Sequence, residues 1–292
     1  MIKLIVGCGD VGRRLASRLI EGGTPADEII ACNATKQGNQ ACMELGLSTH
    51  LLDLDNCYAL PDCISSSLLF YLVPPQRDGD QDLRSTSLIQ SMIRSEQLPN
   101  KVVLISTTGV YGDCEGRWVS EQSTVKPGSA RAKRRLNAEQ QWSVFCQSHA
   151  IGLSILRVPG IYSNSRIPVQ RINQGLPVVN PKECGYSNRI HADDLALMMI
   201  AAMQSEAMGA EEVEIYNCSD GTPSNISDYL QAAARVAGLA ALPVISMQEA
   251  QQQLSPEMLI YLTESRKISN RKILSQLKVT LRYPDFRVGL RH

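Results

Sequence analysis

The 292-residue chain carries no net charge, because 29 Lys and Arg balance 29 Asp and Glu, and only 5% of it is aromatic. A neutral, aromatic-poor chain lacks the electrostatic footprint of a nucleic-acid-binding protein, so no nucleic-acid partner is expected. No apolar run is long enough to cross a bilayer, and the N-terminal residues lack a signal-peptide pattern. A cytoplasmic protein without a membrane partner is expected. The nine cysteines contain no CxxC pair, which argues for reduced thiols over a disulfide framework or a zinc site, and no metal is expected. Low-complexity segments and internal repeats are also missing. The remaining composition, 43% hydrophobic and 20% charged, is that of an ordinary globular protein, long enough for a full α/β core and a second, smaller lobe.

What the chain does have is concentrated at its start. MIKLIVGCGDVGRRLASRLIEGG reads as a short buried strand, Met1 to Val6, running into Gly7, Gly9 and Gly12. A helix follows, with Val11, Leu15, Ala16, Leu19 and Ile20 at helical spacing, and Gly22 and Gly23 end it. In this pattern Gly7 permits a sharp turn, Gly9 lets a phosphate approach bare backbone, and Gly12 lets helix and strand pack closely. The unpaired N–H groups of Asp10, Val11 and Gly12 at the helix N-terminus, with its partial positive charge, suit the pyrophosphate of a dinucleotide. Cys8, inside this loop, is either a thiol activated by the helix or a small filler.

Strands and helices then alternate as a doubly wound parallel sheet requires. Strands are expected over Glu28 to Cys32, Thr49 to Leu52, Leu68 to Val73, Lys101 to Ser106, Ile151 to Val158 and Val213 to Asn217. Helices are expected over Asp82 to Gln97, from a Ser129 cap to about His149, and over Ala192 to Met203. The stretch Pro159 to Asn188 is rich in Pro, Gly and Asn and suits loops over a pocket. The expected architecture is α/β. A Rossmann-type domain takes 1–158 with 189–218 returning to it, and a smaller, discontinuous C-terminal substrate lobe takes 159–188 and 219–292. From Arg266 to His292 there are eight Lys or Arg against the single acid Asp285, but interspersed apolar residues make this a folded segment with a basic face.

ISTTGVYGD at Ile105 to Asp113, SILRVPGIYS at Ser154 to Ser163 and SNRIHADDLA at Ser187 to Ala196 stand in an order that resembles the extended short-chain dehydrogenase/reductase superfamily, the NAD-dependent epimerase/dehydratase family. YNCSDGTP at Tyr216 to Pro223 and the SNRKILSQLKVTLRYPDF stretch resemble its later elements, so the likeness spans nearly the whole chain. It implies a domain binding NAD or NADP and a lobe holding a small-molecule substrate, often a nucleotide sugar. It also implies a homodimer through the two helices after the fourth and fifth strands. Asp53 would bond the adenine amino group beside the Leu54 backbone, Val73 and Pro74 would follow the fourth strand along the cofactor, and Thr107 would bond the reacting oxygen. Arg157, Tyr162, Arg189 and His191 fall where the lobes meet, and Asp194 would cap the helix after it.

Two departures bear on function. The end of the second strand, where an acidic residue commonly binds the adenosine ribose of NAD, reads Cys32, Asn33, Ala34, Thr35, Lys36. Without a carboxylate, and with Lys36 able to neutralise a 2′-phosphate, NADP is preferred over NAD. The family's YxxxK pair is the second departure, because no tyrosine lies between Gly112 and Tyr162. Arg131 and Arg135 fall in the tyrosine and lysine places, or Ser129 and Lys133 if the register slides by two. Arginine stays charged at working pH and cannot carry the proton. Tyr111 is the nearest phenol, and Arg131 with Arg135 suits a phosphate or carboxylate of an anionic substrate; Glu139, at helical spacing, is the expected partner of Arg135. Two readings stay open: an NAD(P)-dependent oxidoreductase or epimerase with an altered active site, and a silent NADP-binding sensor.

Overall fold

The computed structural model describes residues 1–56, 58–205 and 212–291. Seven parallel strands form the central sheet: β1 (Ile2–Val6), β2 (Ile29–Asn33), β3 (Ser48–Leu51), β4 (Ser67–Tyr71), β5 (Lys101–Thr107), β7 (Gly152–Val158) and β11 (Val213–Asn217). β6 (Trp118–Val119), β8 (Gly160–Tyr162), β9 (Val178–Val179) and β10 (Arg189–His191) lie outside it. Its order, β11-β7-β5-β4-β1-β2-β3, reverses direction at β1. In such sheets ligands bind at the carboxyl ends of the strands beside that reversal. The fold is therefore the Rossmann-type doubly wound sheet expected, with strand ends displaced by one or two residues.

Alternate residues of the central strands β1, β4 and β5 enter opposite layers, and both sets are largely apolar, so these strands read as nearly continuous hydrophobic runs. Ile5, Phe70, Val103 and Leu156 face α1 (Asp10–Glu21) and α6 (Ala192–Gln204), together with Cys42 of α2 (Lys36–Met43). Leu4, Leu69, Tyr71 and Leu104 face α3 (Leu83–Arg94) and α4 (Ala130–Ser148). Trp142 of α4 is fully buried against Tyr71, with ring centroids 5.1 Å apart. Side-chain caps start the helices where local sequence demands: Asp82 accepts from the amides of Arg84 and Ser85, and Ser129 from that of Ala132.

Beyond β7 the elements shorten. β8 pairs with β10, while α5 (Val169–Asn173) and α7 (Ile226–Val236) build a separate small core with Tyr162 and Tyr229. β12 (Val244–Ile245), pairing with β9, precedes α8 (Met247–Gln253) and α9 (Pro256–Thr263). The basic segment folds onto the body: β13 (Lys267–Ile268) pairs with β6, α10 (Arg271–Gln276) packs on β11, and α11 (Phe286–Gly289) puts Phe286 in the small core. Lys272 binds Glu214 of β11. Within the expected returning segment 189–218, residues 206–211 lie outside the described residues; α6 and β11 on either side of them belong to the sheet domain's core and edge. None of the described helices is long and apolar enough to cross a membrane.

Candidate functional site

The glycine loop follows β1 at the sheet's reversal point. Gly7 has φ +86°, and a Cβ there would come within 2.9 Å of the Val73 amide nitrogen, so only glycine fits the turn. A Cβ on Gly12 would lie 3.1 Å from Cys8 Sγ and 3.2 Å from Ile5, which is the close helix–strand approach expected. Gly9 differs: its Cβ position has nothing within 4 Å. It is the N-cap of α1 and offers no side-chain cap, so the amides of Asp10, Val11 and Gly12 lack helical acceptors beside open space. This geometry fits a phosphate. The Asp10 carboxylate would oppose one, but Arg166 at 3.1 Å and Arg14 at 3.5 Å bind it.

At the end of β2, Asn33 turns inward, its Nδ2 reaching Asn39 Oδ1 at 3.2 Å and Cys42 Sγ at 3.5 Å. Lys36 opens α2, is exposed, and has no ion-pair partner among the described residues. Sequence reasoning missed Arg13, a half-buried cation on α1 that is likewise unpaired and acts on Cys42 across the gap to α2. Its signal was a second cation source directly after Gly12. Asp53 spends both carboxylate oxygens on its own turn, accepting from the Asp55 amide at 3.1 Å and Asn56 Nδ2 at 2.8 Å, while Leu54 is buried. Beyond β4, the Val73 and Pro74 carbonyls accept from Arg135 and Arg84.

Around the end of β5 the expected constellation divides. Thr107 accepts from the Gly109 amide at 3.2 Å and stays half-exposed, and Arg131 is exposed on the first turn of α4. Arg135 is buried; its Nη1 donates to Val73 O at 3.0 Å, and loss of hydration holds its pKa below the usual arginine value. The expected Arg135–Glu139 pair does not form. Glu139 instead binds Arg157 of β7, with Nη2 to Oε2 at 2.8 Å and Nε to Oε1 at 3.1 Å, and also accepts from Ser106. That bidentate geometry, buried on both sides, outcompetes a helical neighbour.

Tyr111 requires a further correction. Its hydroxyl donates to Asn217 Oδ1 at 2.8 Å and accepts from Arg157 Nη1 at 3.0 Å, with the guanidinium carbon 4.9 Å from the ring centroid. Burial raises its pKa and keeps it a phenol. It ties the turn after β5 to β7 and β11 and is 1% exposed. Arg157, expected at the lobe junction, is the centre of that interior network.

On the lobe side, His191 caps α6 by accepting from the Asp193 amide at 3.2 Å and stacks on Tyr283 at 4.0 Å; burial lowers its pKa. These contacts hold the imidazole between α6 and the C-terminal segment. Asp194 does not cap its helix: its oxygens take the amides of Arg282 and Tyr283, both at 2.9 Å, and anchor the C-terminal segment. Tyr162 and Arg189 do meet, in a cavity of about 330 Å³ that Arg166, Arg171, Tyr229 and Tyr261 also line. Arg189 lies 4.1 Å over the Tyr229 ring, and its Nε, like the Tyr162 hydroxyl, has no hydrogen-bond partner among the described residues.

The strand order and the glycine loop define the class, a Rossmann-type α/β protein with a small C-terminal lobe. No family model matches the chain, and no curated protein does. Solved structures do. A conserved protein of unknown function from Silicibacter pomeroyi superposes with a TM-score of 0.83 at 28% identity, over 99% of this chain and 96% of the other. A Methylobacillus flagellatus protein provisionally named an NAD-dependent epimerase/dehydratase gives 0.67 at 25%, over 99% and 95%. The UDP-glucuronic acid 4-epimerase of Bacillus cereus, solved with NAD, gives 0.77 at 16%, over 100% and 94%. Proteins named as NAD-dependent epimerases and dehydratases thus stand among the structures whose fold this chain shares.

Proposed function

We propose that the protein binds a nicotinamide dinucleotide, NADP in preference to NAD, along Gly7, Gly9, Asp10, Val11 and Gly12, and acts on an anionic, nucleotide-sugar-like small molecule. Arg13 and Lys36, two unpaired cations flanking the end of β2, support the NADP preference. When bound, the dinucleotide would supply hydride exchange. Thr107 would hold the reacting oxygen, and Arg131 with Arg135 would bind the substrate's phosphate or carboxylate. The observation that carries this reading is Arg135: a buried guanidinium that donates to one carbonyl and closes no ion pair among the described residues, with the Asp82 and Glu139 charges acting on it only from beyond contact. Buried charges ordinarily have partners, and an anionic ligand would complete this one.

The substrate lobe, 159–188 with 219–292, would contribute Tyr162 and Arg189 from the 330 Å³ cavity. Pairing of two copies through α3 and α4 is supported by Ile93 and Val144, which are exposed along a groove between those helices. A cytoplasmic location agrees with the reduced thiols. One observation favours a second reading, a binding protein without turnover: Tyr111, the nearest phenol, is turned into the interior. Titration with NADPH and NADH, followed by incubation with UDP-glucose and UDP-glucuronic acid, tests both. Binding of NADPH with substrate-dependent change in nicotinamide absorbance or in the sugar product supports the enzyme; binding alone supports the sensor. Failure of either dinucleotide to bind ends both readings.

A further inference from the structure

The 330 Å³ cavity of the small lobe has an apolar wall to which Val178, Val179, Ile226, Leu230 and Leu262 contribute, with Tyr229 and Tyr261 beside them. Its charge is of one sign. Arg166, Arg171 and Arg189 line it, and no Asp, Glu, Asn, Gln or His does among the described residues. Arg166 is spent on Asp10 at 3.1 Å, and Arg171 Nη2 donates to Pro177 O at 3.1 Å. Arg189 is less committed. It is 3% exposed and closes no ion pair among the described residues; its Nη2 reaches Ser187 Oγ and Asn225 O only at 3.3 and 3.4 Å, and its Nε has no partner. Asp220 acts on it through space without contact, and burial lifts that carboxyl to about 7. The Tyr229 ring, 4.1 Å away, holds the guanidinium by its face. Nη1 donates to no described residue and lies beside Gly160, a lining residue whose Cβ would come within 3.0 Å of it. Glycine there leaves that nitrogen uncovered. A buried cation so placed lacks its counter-ion.

We propose that this cavity holds a monocarboxylate with a ring-sized apolar body, its carboxylate on Arg189 and its body against Val178, Ile226 and Leu230. The match is one of hydrogen-bonding sign. A guanidinium offers donors only and a carboxylate acceptors only, so the head of such a ligand is fully satisfied by the wall. A sugar is different, because each hydroxyl also has a hydrogen to place. The side-chain acceptors of the wall are limited to the tyrosine hydroxyls and Ser227, and Ser227 already bonds Cys184. Hydroxyls buried there without acceptors would lose their hydration uncompensated. An apolar body has no such cost and gains by leaving water. Size agrees, since 330 Å³ stands at the small end of the range for ligand pockets, about 300–1,000 Å³. The proposal narrows the anionic substrate of the proposed function, and its link to a reaction rests on that reading; the binding itself does not.

The test is calorimetric titration of the full-length protein, without dinucleotide, against naphthoate, its neutral counterpart naphthylmethanol, and UDP-glucose. Naphthoate should bind one to one, about tenfold or more tighter than naphthylmethanol. Arg189→Met should abolish that difference and leave naphthylmethanol unchanged. Because Arg189 is buried, two variants keep the test independent of its effect on folding. Gly160→Ala, whose methyl covers Nη1, should weaken naphthoate alone, and Tyr261→Ala, at a half-exposed lining position, should weaken both naphthyl compounds. Equal affinity for naphthoate and naphthylmethanol, or naphthoate binding untouched by all three substitutions, overturns the site. Tighter binding of UDP-glucose than of naphthoate, lost in Arg189→Met, overturns the ligand class and favours a nucleotide sugar in its place. No heat from naphthoate up to about 1 mM overturns the proposal outright. A parallel NADPH titration decides the dinucleotide reading separately: naphthoate binding without NADPH binding leaves the cavity assignment standing and removes the cofactor.

Discussion

Glu139→Gln is the most informative single substitution, because the shape is nearly kept while the buried charge is removed. In the native protein the carboxylate takes two hydrogen bonds from Arg157 and one from Ser106, and both members of the ion pair are only 5% exposed. Glutamine retains one acceptor oxygen but turns an amide toward the guanidinium, leaving Arg157 buried and uncompensated. Breaking a buried pair from one side typically costs about 3–5 kcal/mol. At roughly 2–4 °C per kcal/mol for a chain somewhat smaller than this one, the melting temperature should fall by about 10 °C. Arg135→Met is the matched contrast: it gives up one charge-assisted bond to a carbonyl, worth about 1.5–3 kcal/mol, and offsets most of that by removing a charge that has lost its hydration and has no ion pair in contact. Its stability should change by no more than about 1 kcal/mol. Adding Arg157→Met to Glu139→Gln should recover part of the loss, since the pair is then gone from both sides. Calorimetric melting with urea titration measures all four proteins. A cost below about 1 kcal/mol for Glu139→Gln, or an equal cost for Arg135→Met, would refute the partner assignment.

Three further outcomes are expected. Tyr111→Phe should lower stability by about 1–2 kcal/mol through the orphaned Asn217 oxygen, with NADPH affinity unchanged; a large affinity loss would return Tyr111 to the cleft. Lys36→Glu should weaken NADPH binding by about tenfold or more while NADH changes little, and equal losses in fluorescence titration would dispose of the 2′-phosphate contact. Burial lifts the Asp220 carboxyl to about 7, above its unfolded value, so the folded state holds an extra proton between those values. Stability should therefore fall as pH rises from about 4 to about 7, by up to about 4 kcal/mol from this group. Asp220→Asn, which keeps the acceptor for the Thr222 amide at 3.0 Å, should flatten that slope, and an identical urea-derived profile in both proteins would contradict it.

Much of the fold could be read without the structure because its signals are local. β11 matches the expected Val213 to Asn217, β5 runs one residue further than expected, and Ser129 caps α4 as its position after Pro127 and Gly128 suggested. The Pro159 to Asn188 region was less legible: β8, α5 and β9 are two to five residues long, too short for periodicity to register. In the candidate site, the glycines and Lys36 were legible from spacing. The directions of Tyr111, Arg157 and Asp194 were not, since each is set by a partner far along the chain.

The sequence by itself determined the strand–glycine–helix opening and the parallel sheet, because backbone conformation at Gly7 and the apolar runs of the central strands are decided within a few residues. Only the tertiary structure decided which charges pair. Glu139 had a cation one helical turn away and took another on β7, since β7 beside β5 supplies a two-pronged contact from Arg157 while Arg135 donates to Val73 O. The same neighbourhood of strands turned Tyr111 inward and left Arg135 without a carboxylate in contact. Packing β2 beside β1 likewise brought Cys42 beneath a loop 34 residues earlier. Burial makes partner choice a competition across the whole core, and spacing along the chain states only who the local contenders are.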